Sequence, residues 1–235
     1  GCMIHQYAAA TCTAPQICTK CGAEQGKALG HDWQEATCQA PKTCKRCGKK
    51  EGEKTAHTWQ SATCETPMTC TVCGATQGKK RGHSWVAETK STPKMCKRCH
   101  KMKPMRTPEN GKTIIDTEKD TPCHIQVDNS NNAENCYVKL KDAYGKDVFS
   151  FFVQAYSSAT AAVPEGDYYV YFAHGDDWYG KRYLFGKDTA CSMDETMQRL
   201  LVTWTDEGST STRLEYTLNV SYGNFNTRDI DISEF

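Results

Sequence analysis

The first hundred residues form a tandem repeat, and this repeat limits what the chain can fold into more than any other feature. Comparing the segment with itself at an offset of 26 residues aligns four repeats without a gap. Each repeat begins at a histidine that is followed two residues later by an aromatic residue. These pairs are His5 with Tyr7, His31 with Trp33, His57 with Trp59, and His83 with Trp85. The first three repeats also carry cysteines in strict register: Cys12, Cys18, Cys21; Cys38, Cys44, Cys47; and Cys64, Cys70, Cys73.

A single repeat is too poor in apolar residues to fold around a core of its own. Residues 11–102 contain one Ile, one Leu, two Val, three Met, three Trp and no Phe or Tyr. A 26-residue segment with one aromatic residue cannot bury enough surface to offset the lost chain entropy. Segments of this size need disulfides or a bound metal to fold.

The number of cysteines favours a metal. Each intact repeat has three cysteines, an odd number that cannot be paired completely within the repeat. Three cysteines and one histidine supply the four ligands of a tetrahedral structural zinc site. The Cys-x2-Cys pairs are followed by Gly22, Gly48 or Gly74, which predicts a tight turn, here called the knuckle, that presents two thiolates to one ion. We therefore expect Zn²⁺ as a structural cofactor, about three ions per chain. A ladder of disulfides between repeats remains the alternative in a secreted protein.

The spacing allows two assignments of the histidines. Taken from the histidine, the first set is His5 with the three cysteines that follow it. Taken from the cysteine, each set is closed by the histidine that opens the next repeat. We favour the second assignment because the fourth repeat has Lys90 at the place of its first cysteine and Glu109 at the place of the next histidine, so that one lost site explains both. His5 then has no role. The predicted sets are Cys12, Cys18, Cys21, His31; Cys38, Cys44, Cys47, His57; and Cys64, Cys70, Cys73, His83. A hairpin over residues 48–56, turning near Glu51-Gly52, is expected to return His57 to its knuckle.

The fourth repeat is interpreted as degenerate, with only Cys96 and Cys99 remaining. A fourth metal site requires that His100, Cys123 or His124 come near this pair. Otherwise the pair is a disulfide or a relic.

The two halves of the chain have opposite charges. Residues 1–106 hold 18 Lys and Arg against 7 Asp and Glu, whereas residues 107–235 hold 11 against 21, so that the whole chain averages to +1. The basic half has twelve of the 15 cysteines, and the acidic half has all seven Phe and ten of the eleven Tyr. We therefore predict two domains: four zinc-binding repeats at 1–102 and a second domain at 123–235. Residues 103–122, with three prolines and mixed charge, are predicted to be a linker.

The acidic half has the alternating pattern of β-strands. Apolar residues alternate with polar ones over 136–141 and 213–220. Aromatic and β-branched residues enrich six further runs, at 123–128, 147–154, 158–163, 167–173, 181–185 and 199–205. Only residues 194–200 resemble a helix. The fold class is therefore all-β: a tandem array of small zinc-ribbon-like repeats followed by an antiparallel β-sandwich.

The acidic half offers little chemistry. Motifs of serine hydrolases, zinc proteases and nucleotide-binding proteins are absent from the sequence. A cluster in one predicted turn is a candidate ligand-binding or enzymatic site: His174, Asp176, Asp177, Trp178 and Tyr179. The alternative is that Trp178 packs beneath the turn as a core residue. A disulfide between Cys136 and Cys191 is one hypothesis for the cysteines of this half, and buried free thiols are the other.

Two patterns resemble known protein families. The repeat H-x-W-x4-C-x5-C-x2-C-G resembles zinc-ribbon-like repeats found in tandem in secreted and surface proteins of Gram-positive gut bacteria. Residues 163–172 (VPEGDYYVYF), with 175–180 (GDDWYG), 184–186 (LFG) and 223–224 (GN), are similar to a β-sandwich module of uncharacterised proteins from the same bacteria. Gly1-Cys2 resembles the end of a lipobox, in which Cys2 would carry a lipid anchor.

From these observations we expect a non-catalytic protein that is extracellular or on the bacterial cell surface and whose role is binding or display. A protein or glycan is the expected partner, and the only membrane contact expected is the lipid at Cys2. Two alternatives remain. The basic array, at about +8 once three zinc sites are filled, can attract a polyanion, although nucleic acid is disfavoured because finger spacing and an arginine-rich arm are lacking. Alternatively, the chain is an enzyme with its site near residues 174–179. The opposite charges of the two halves also make self-association plausible.

Overall fold

A computed structural model describes residues 4–116, 119–218 and 226–235. The chain divides into two compact units, Gly1–His83 and Ser84–Phe235, here called the N-terminal and C-terminal units. Both units are built of β-strands, which confirms the predicted all-β class, and the described residues include no α-helix. The described residues likewise contain no helix that is long and apolar enough to cross a membrane. The predicted lipid attachment at Cys2 and the residues Asn219, Val220 and Gly223-Asn224 lie outside the described residues.

The N-terminal unit consists of three small antiparallel sheets, one for each repeat. In the second repeat, the strand that begins at Trp33 pairs with the strand that ends at Cys44, which pairs in turn with the strand that follows the knuckle. The sheets comprise β1 Tyr7–Ala8, β2 Gln16–Cys18 and β3 Glu24–Gln25; β4 Trp33–Gln34, β5 Lys42–Cys44 and β6 Lys50–Glu51; and β7 Trp59–Gln60, β8 Met68–Cys70 and β9 Thr76–Gln77.

The predicted hairpin over residues 48–56 is wrong. The chain reverses at the knuckle itself, where the Cys44 N–H donates to the Lys49 carbonyl at 2.8 Å. Beyond β6, the Thr55 N–H donates to the Thr37 carbonyl at 3.0 Å, and this bond returns the end of the repeat to the turn that carries its first cysteine.

The C-terminal unit begins with the sheet of the fourth repeat and continues into a β-sandwich. The strands are β10 Trp85–Val86, β11 Lys94–Cys96, β12 Met102–Lys103, β13 Thr113–Ile115, β14 Cys123–Asp128, β15 Asn135–Asp142, β16 Asp147–Val153, β17 Ser158–Val163, β18 Gly166–Gly175, β19 Ala190–Asp194, β20 Gln198–Leu200, β21 Val202–Thr205, β22 Gly208–Ser211, β23 Arg213–Thr217 and β24 Thr227–Ile230. The larger sheet of the sandwich has the strand order β13-β16-β15-β18-β19-β24, with β20 also paired to β18, and the smaller sheet has the order β17-β14-β23. Strands β21 and β22 form a separate hairpin.

The larger sheet of the sandwich buries apolar side chains on both faces. The face toward the smaller sheet carries the inward residues of the alternating strands, such as Val138, Phe151 and Phe172, all fully buried. The opposite face carries an aromatic cluster that includes Tyr137, Phe152 and Trp178. The period of two in the sequence therefore marks real strands, but both sets of alternating positions are apolar in the centre of the sheet.

Part of the predicted linker belongs to the sandwich. Strand β13 pairs with β16 at the edge of the larger sheet. The Met105 N–H donates to the Trp178 carbonyl, and the Gly111 N–H donates to the Phe152 carbonyl, both at 2.8 Å. The boundary between the compact units lies at His83–Ser84.

Two local predictions in the sandwich are wrong. Residues 194–200 are not helical, because β19 ends at Asp194 and β20 begins at Gln198. The Asp194 carboxylate is buried and accepts from the Thr196 N–H and the Tyr216 hydroxyl, which fixes a turn between the strands. Residues 181–185 form a turn in place of a strand, followed by a short 3₁₀ helix at Gly186–Asp188.

Candidate metal centres

The knuckle is a preformed turn in every repeat of the N-terminal unit. The N–H of the glycine that follows the Cys-x2-Cys pair donates to the carbonyl of the cysteine that begins the pair, at 2.9 Å, as Gly48 does to Cys44. This glycine has φ of 73° to 75° in all three repeats, in the left-handed region where a side chain is unfavourable. The recurrence of glycine after Cys-x2-Cys is thus a requirement of the backbone.

The histidine that opens a repeat lies beside the knuckle of the same repeat. Pairing of Trp33 with Cys44, and the bond from the Lys45 N–H to the Asp32 carbonyl, bring His31 to the turn. Its Nδ1 lies 3.4 Å from Cys47 Sγ. The ring centroids of His31 and Trp33 are 4.8 Å apart, so the tryptophan supports the orientation of the imidazole. The spacing His-x-Trp has this contact as its physical basis.

The first cysteine of a repeat does not join its own knuckle. The Leu29 N–H donates to the Thr11 carbonyl and the Gly30 N–H to the Cys12 carbonyl, so that Cys12 lies next to the start of the following repeat. There Cys12 Sγ is 3.8 Å from Cys44 Sγ. The next repeat has the same arrangement, with Cys38 Sγ 3.8 Å from Cys70 Sγ.

The N-terminal unit therefore contains two sets of four metal-ligating groups, each shared by two neighbouring repeats. Within each set the ligand atoms all lie within 4.8 Å of one another. A further group has the same kind of knuckle and histidine, and three members among the residues that the structure describes. The four-member sets are Cys12, His31, Cys44, Cys47 and Cys38, His57, Cys70, Cys73, and the three-member set is His5, Cys18, Cys21.

Neither predicted assignment of the histidines is correct as a whole. The cysteine-first assignment rightly joins Cys12 to His31, but it places Cys18 and Cys21 in the same set, whereas the structure places them with His5. The histidine-first assignment correctly joins each histidine to its own knuckle but adds the wrong first cysteine. A strict 26-residue period cannot separate these arrangements, because shifting one ligand by a whole repeat leaves the pattern of spacings unchanged.

The dimensions of the four-member sets fit a tetrahedral zinc ion. With Zn–S of about 2.3 Å and Zn–N of about 2.0 to 2.1 Å, the edges of a tetrahedron measure about 3.8 Å between sulfurs and about 3.5 Å between sulfur and nitrogen. The observed S···S distances of 3.8 Å and S···N distances of 3.4 Å match these edges. Three thiolates and one imidazole are a donor set of structural zinc sites.

The thiols of a set differ in acidity. Burial tends to raise the pKa of Cys44, but hydrogen bonds from the backbone of Cys47 and from His31 outweigh it and lower the pKa to about 6. Burial and the neighbouring thiols of Cys47 and Cys44 raise the pKa of Cys12 to about 11. Cys44 thus favours the thiolate by itself, whereas Cys12 needs a nearby cation to ionise at neutral pH.

Sequence reasoning overlooked a recurring threonine before the first cysteine position. The hydroxyl oxygen of Thr37 accepts from the N–H groups of Gln39 and Ala40, both at 3.2 Å, and so shapes the turn that carries Cys38. The motif Thr-Cys at a fixed place in three repeats was a signal for this turn. The equivalent residues are Thr11, Thr63 and Thr89.

The fourth knuckle has a histidine where the others have glycine. His100 adopts φ of 57°, and its N–H donates to the Cys96 carbonyl at 2.9 Å. We expect His100→Gly to raise the free energy of unfolding of the C-terminal unit by about 1 kcal/mol, because a left-handed non-glycine residue costs about 1 to 2 kcal/mol. Urea unfolding of the metal-loaded chain measures the change. Arg98→Gly is the matched control and should lower stability, since Arg98 is not left-handed.

The predicted partners for Cys96 and Cys99 do not join them. Cys123 and His124 lie on β14, and Cys123 is fully buried in the sandwich core. Among the described residues, no group of metal-ligating atoms contains His100, Cys123 or His124.

The predicted ligand-binding turn separates into unlike environments. Trp178 is 4% exposed and packs against Tyr137 and Phe152, with ring centroids 5.2 and 5.3 Å apart, as the core alternative predicted. His174 is half-buried, with Nδ1 3.4 Å from Asn132 Nδ2, and burial lowers its pKa to about 4. Asp176 and Asp177 are exposed, and Tyr179 is partly buried. The turn does not present these five side chains to one ligand.

The proposed disulfide between Cys136 and Cys191 is wrong, since both residues have free thiols. Cys136 pairs across the ladder with His174, and Cys191 pairs with Ala173. Adjacent positions on β18 point to opposite faces of the sheet. Cys136 consequently lies in the core between the sheets, and Cys191 lies on the aromatic face.

A scan against protein-family models, a search of curated proteins and a search of solved structures each found no match to this chain. The function of the chain is therefore inferred from the geometry of the metal-ligating groups.

Proposed function

We propose that the repeats form a zinc-folded, non-catalytic scaffold in a binding or display protein that works outside the cell, at a bacterial surface. The observation that carries this proposal is that each four-member set joins two neighbouring repeats through four protein ligands. A zinc ion with four protein ligands has no open position at which to activate water, which is typical of structural and not of catalytic sites. Here the ion would connect repeats that have little apolar core of their own.

The register of the repeat extends this scheme by one more set. By sequence, Cys64 and His83 stand 26 residues after Cys38 and His57, and Cys96 and Cys99 stand 26 residues after Cys70 and Cys73. The rule that a first cysteine serves the knuckle of the next repeat then assigns Cys64, His83, Cys96 and Cys99 to a third zinc. His83 Nε2 lies 3.5 Å from a Glu65 carboxylate oxygen, a contact of the kind that orients ligating histidines.

The same rule gives a reason for Lys90. In the fourth repeat the first cysteine would have no following knuckle to serve in this sequence, and a lysine stands there. The fourth repeat is then an end cap with a complete knuckle, in place of the degenerate repeat that the cysteine-first assignment predicted.

The placement at a cell surface and the class of ligand have indirect support. The repeat resembles those of surface and secreted proteins from Gram-positive gut bacteria, and Cys2 would supply a lipid anchor. A zinc-stabilised array of repeats, followed along the chain by a β-sandwich, suits the presentation of a module to a protein or a glycan. The opposite charges of the two halves would also support self-association.

Polyanion binding is the second candidate, and one observation favours it. Of the eleven Lys and Arg residues in the described part of the N-terminal unit, ten are exposed. Such a surface attracts anionic polymers through a charge effect that weakens steeply with salt.

Metal analysis and ligand binding test the proposal together. The chain, purified without added reductant or oxidant and dialysed against a weak chelator, should retain three zinc ions. The holoprotein is then applied to an array of immobilised glycans and to heparin at rising salt. Salt-resistant binding to a glycan supports the first candidate. Heparin binding alone, lost with rising salt, would establish the second, and a metal-free chain with paired cysteines would overturn the scaffold.

A further inference from the structure

His5, Cys18 and Cys21 bring three potential metal-ligating groups together at the first knuckle. Their ligand atoms lie within 4.8 Å of one another, with Cys21 Sγ 3.3 Å from His5 Nδ1. Cys18 is buried, whereas His5 and Cys21 are exposed. Among the described residues, no fourth Cys, His, Asp or Glu belongs to this group.

The backbone around this group is the same as in the four-member sets. Tyr7 pairs with Cys18 as Trp33 pairs with Cys44, and the Thr19 N–H donates to the Gln6 carbonyl at 2.9 Å. Gly22 has φ of 75°. Three donors are therefore held as the knuckle and histidine hold theirs in the four-member sets, and a metal ion would have to organise little of the backbone on binding.

The missing donor would be a thiolate. In the four-member sets the fourth ligand is the first cysteine of the preceding repeat, and no described residue takes that place beside His5, Cys18 and Cys21. Two thiolates, one neutral imidazole and one Zn²⁺ have no net charge, so an added thiolate restores the net −1 of the four-member sets. Two cysteines, a histidine and an exchangeable ligand make up the donor set of some zinc sites with an open position.

A second copy of the chain is poorly suited to supply that thiolate from its own repeats. Cys12 and Cys38 already belong to four-member sets. Cys64 is assigned by register to the third set. At the end of the array, the residue in the position of a first cysteine is Lys90.

We propose that His5, Cys18 and Cys21 bind a zinc ion whose fourth position accepts a thiolate from a separate molecule. The inference depends on the proposed function, in that the four-member sets must be zinc sites. On binding, the bond from zinc to a water oxygen breaks, a bond from zinc to sulfur forms, and the thiol proton passes to solvent. Exposure of His5 and Cys21 leaves this position open to a small thiol or to a cysteine of a partner protein.

Cobalt replacement tests the inference on the full chain. Co²⁺ in thiolate sites absorbs visibly, and 2-mercaptoethanol is the probe thiol. We expect the chain to bind one equivalent of Co²⁺ beyond those bound by the four-ligand sets, here called the closed sites. This extra equivalent should bind at a higher concentration of free Co²⁺. Its sulfur-to-cobalt absorbance should rise about 1.5-fold with the thiol, because two thiolates become three. Absence of the extra equivalent, or no response to thiol, would overturn the inference while leaving the closed sites intact.

Three variants separate the explanations. His5→Ala and Cys21→Ser should each remove the extra equivalent and the thiol response, and the closed sites should still fill. Cys2→Ser should leave both unchanged. If the thiol response appears only in Cys2→Ser, the chain supplies its own fourth ligand and the inference fails. Failure of every site to bind cobalt would refute the proposed function as well.

Discussion

Removal of zinc is expected to unfold the N-terminal unit and to leave the β-sandwich folded. A structural zinc contributes about 10 to 16 kcal/mol of binding free energy in small zinc-dependent domains. The repeats have few apolar residues to replace it, whereas the sandwich has a contiguous core around Val138, Phe151 and Phe172. The effect should therefore be near-complete loss of structure in one unit.

Hydrogen exchange in the presence of a strong chelator and a reductant measures this loss. The N–H groups of Lys45 and Thr71, which donate to Asp32 and Thr58, should lose their protection. The N–H groups at the centre of β15 should keep theirs. Phe172→Ala provides the matched control: deleting this buried ring should cost the sandwich about 3 to 5 kcal/mol while the repeats keep their zinc. Protection of Lys45 and Thr71 without metal would contradict the proposal.

Cys12→Ser is expected to disrupt the knuckle of the second repeat and to leave the knuckle of the first repeat unchanged. Cys12 shares its set with His31, Cys44 and Cys47, so loss of this thiolate removes a ligand from that zinc alone. We expect the affinity of this one site for zinc to fall by at least tenfold. Cadmium-113 replacement followed by metal–proton correlation NMR identifies the cysteines bound to each ion.

Sites shared between neighbouring repeats and sites within single repeats give opposite results in this experiment. In the wild type, one cadmium should correlate with the β-protons of Cys12, Cys44 and Cys47. In Cys12→Ser, the signals of Cys44 and Cys47 should shift or broaden. His5→Ala is the control and should leave this cadmium unaffected. Correlation of one cadmium with Cys12, Cys18 and Cys21 would establish sites within single repeats and refute shared ligation.

The cysteines and histidines that could ligate a metal were predictable from the sequence, but which of them lie together was not. An odd number of cysteines and one histidine per repeat indicate a metal without any knowledge of the fold. Which knuckle Cys12 joins depends on the hydrogen bond from the Leu29 N–H to the Thr11 carbonyl, which places Cys12 next to the following repeat. Backbone hydrogen bonds of this kind leave no mark on the cysteine spacing.

In the sandwich, the alternation of apolar and polar residues predicted strands well. It failed where contacts between distant residues determine the local structure. Strands β14 and β17 have the predicted bounds. The turn at Asp194 depends on a hydrogen bond from Tyr216, a residue of a distant strand, so no local pattern could reveal it. The predicted disulfide is wrong because Cys136 and Cys191 lie on opposite faces of the sheet. The register of each strand against β18 sets these faces, and the sequence does not reveal that register.

Sharing of ligands across the junction between repeats has a consequence for how such a protein can change in length. Inserting or deleting one whole 26-residue repeat within the array adds or removes one closed set and leaves every other first cysteine facing a knuckle. A cut inside the array, by contrast, leaves a lone cysteine on one fragment and a three-ligand knuckle on the other. Duplication of repeats is therefore structurally neutral, while proteolysis between repeats would expose reactive thiols at both new ends.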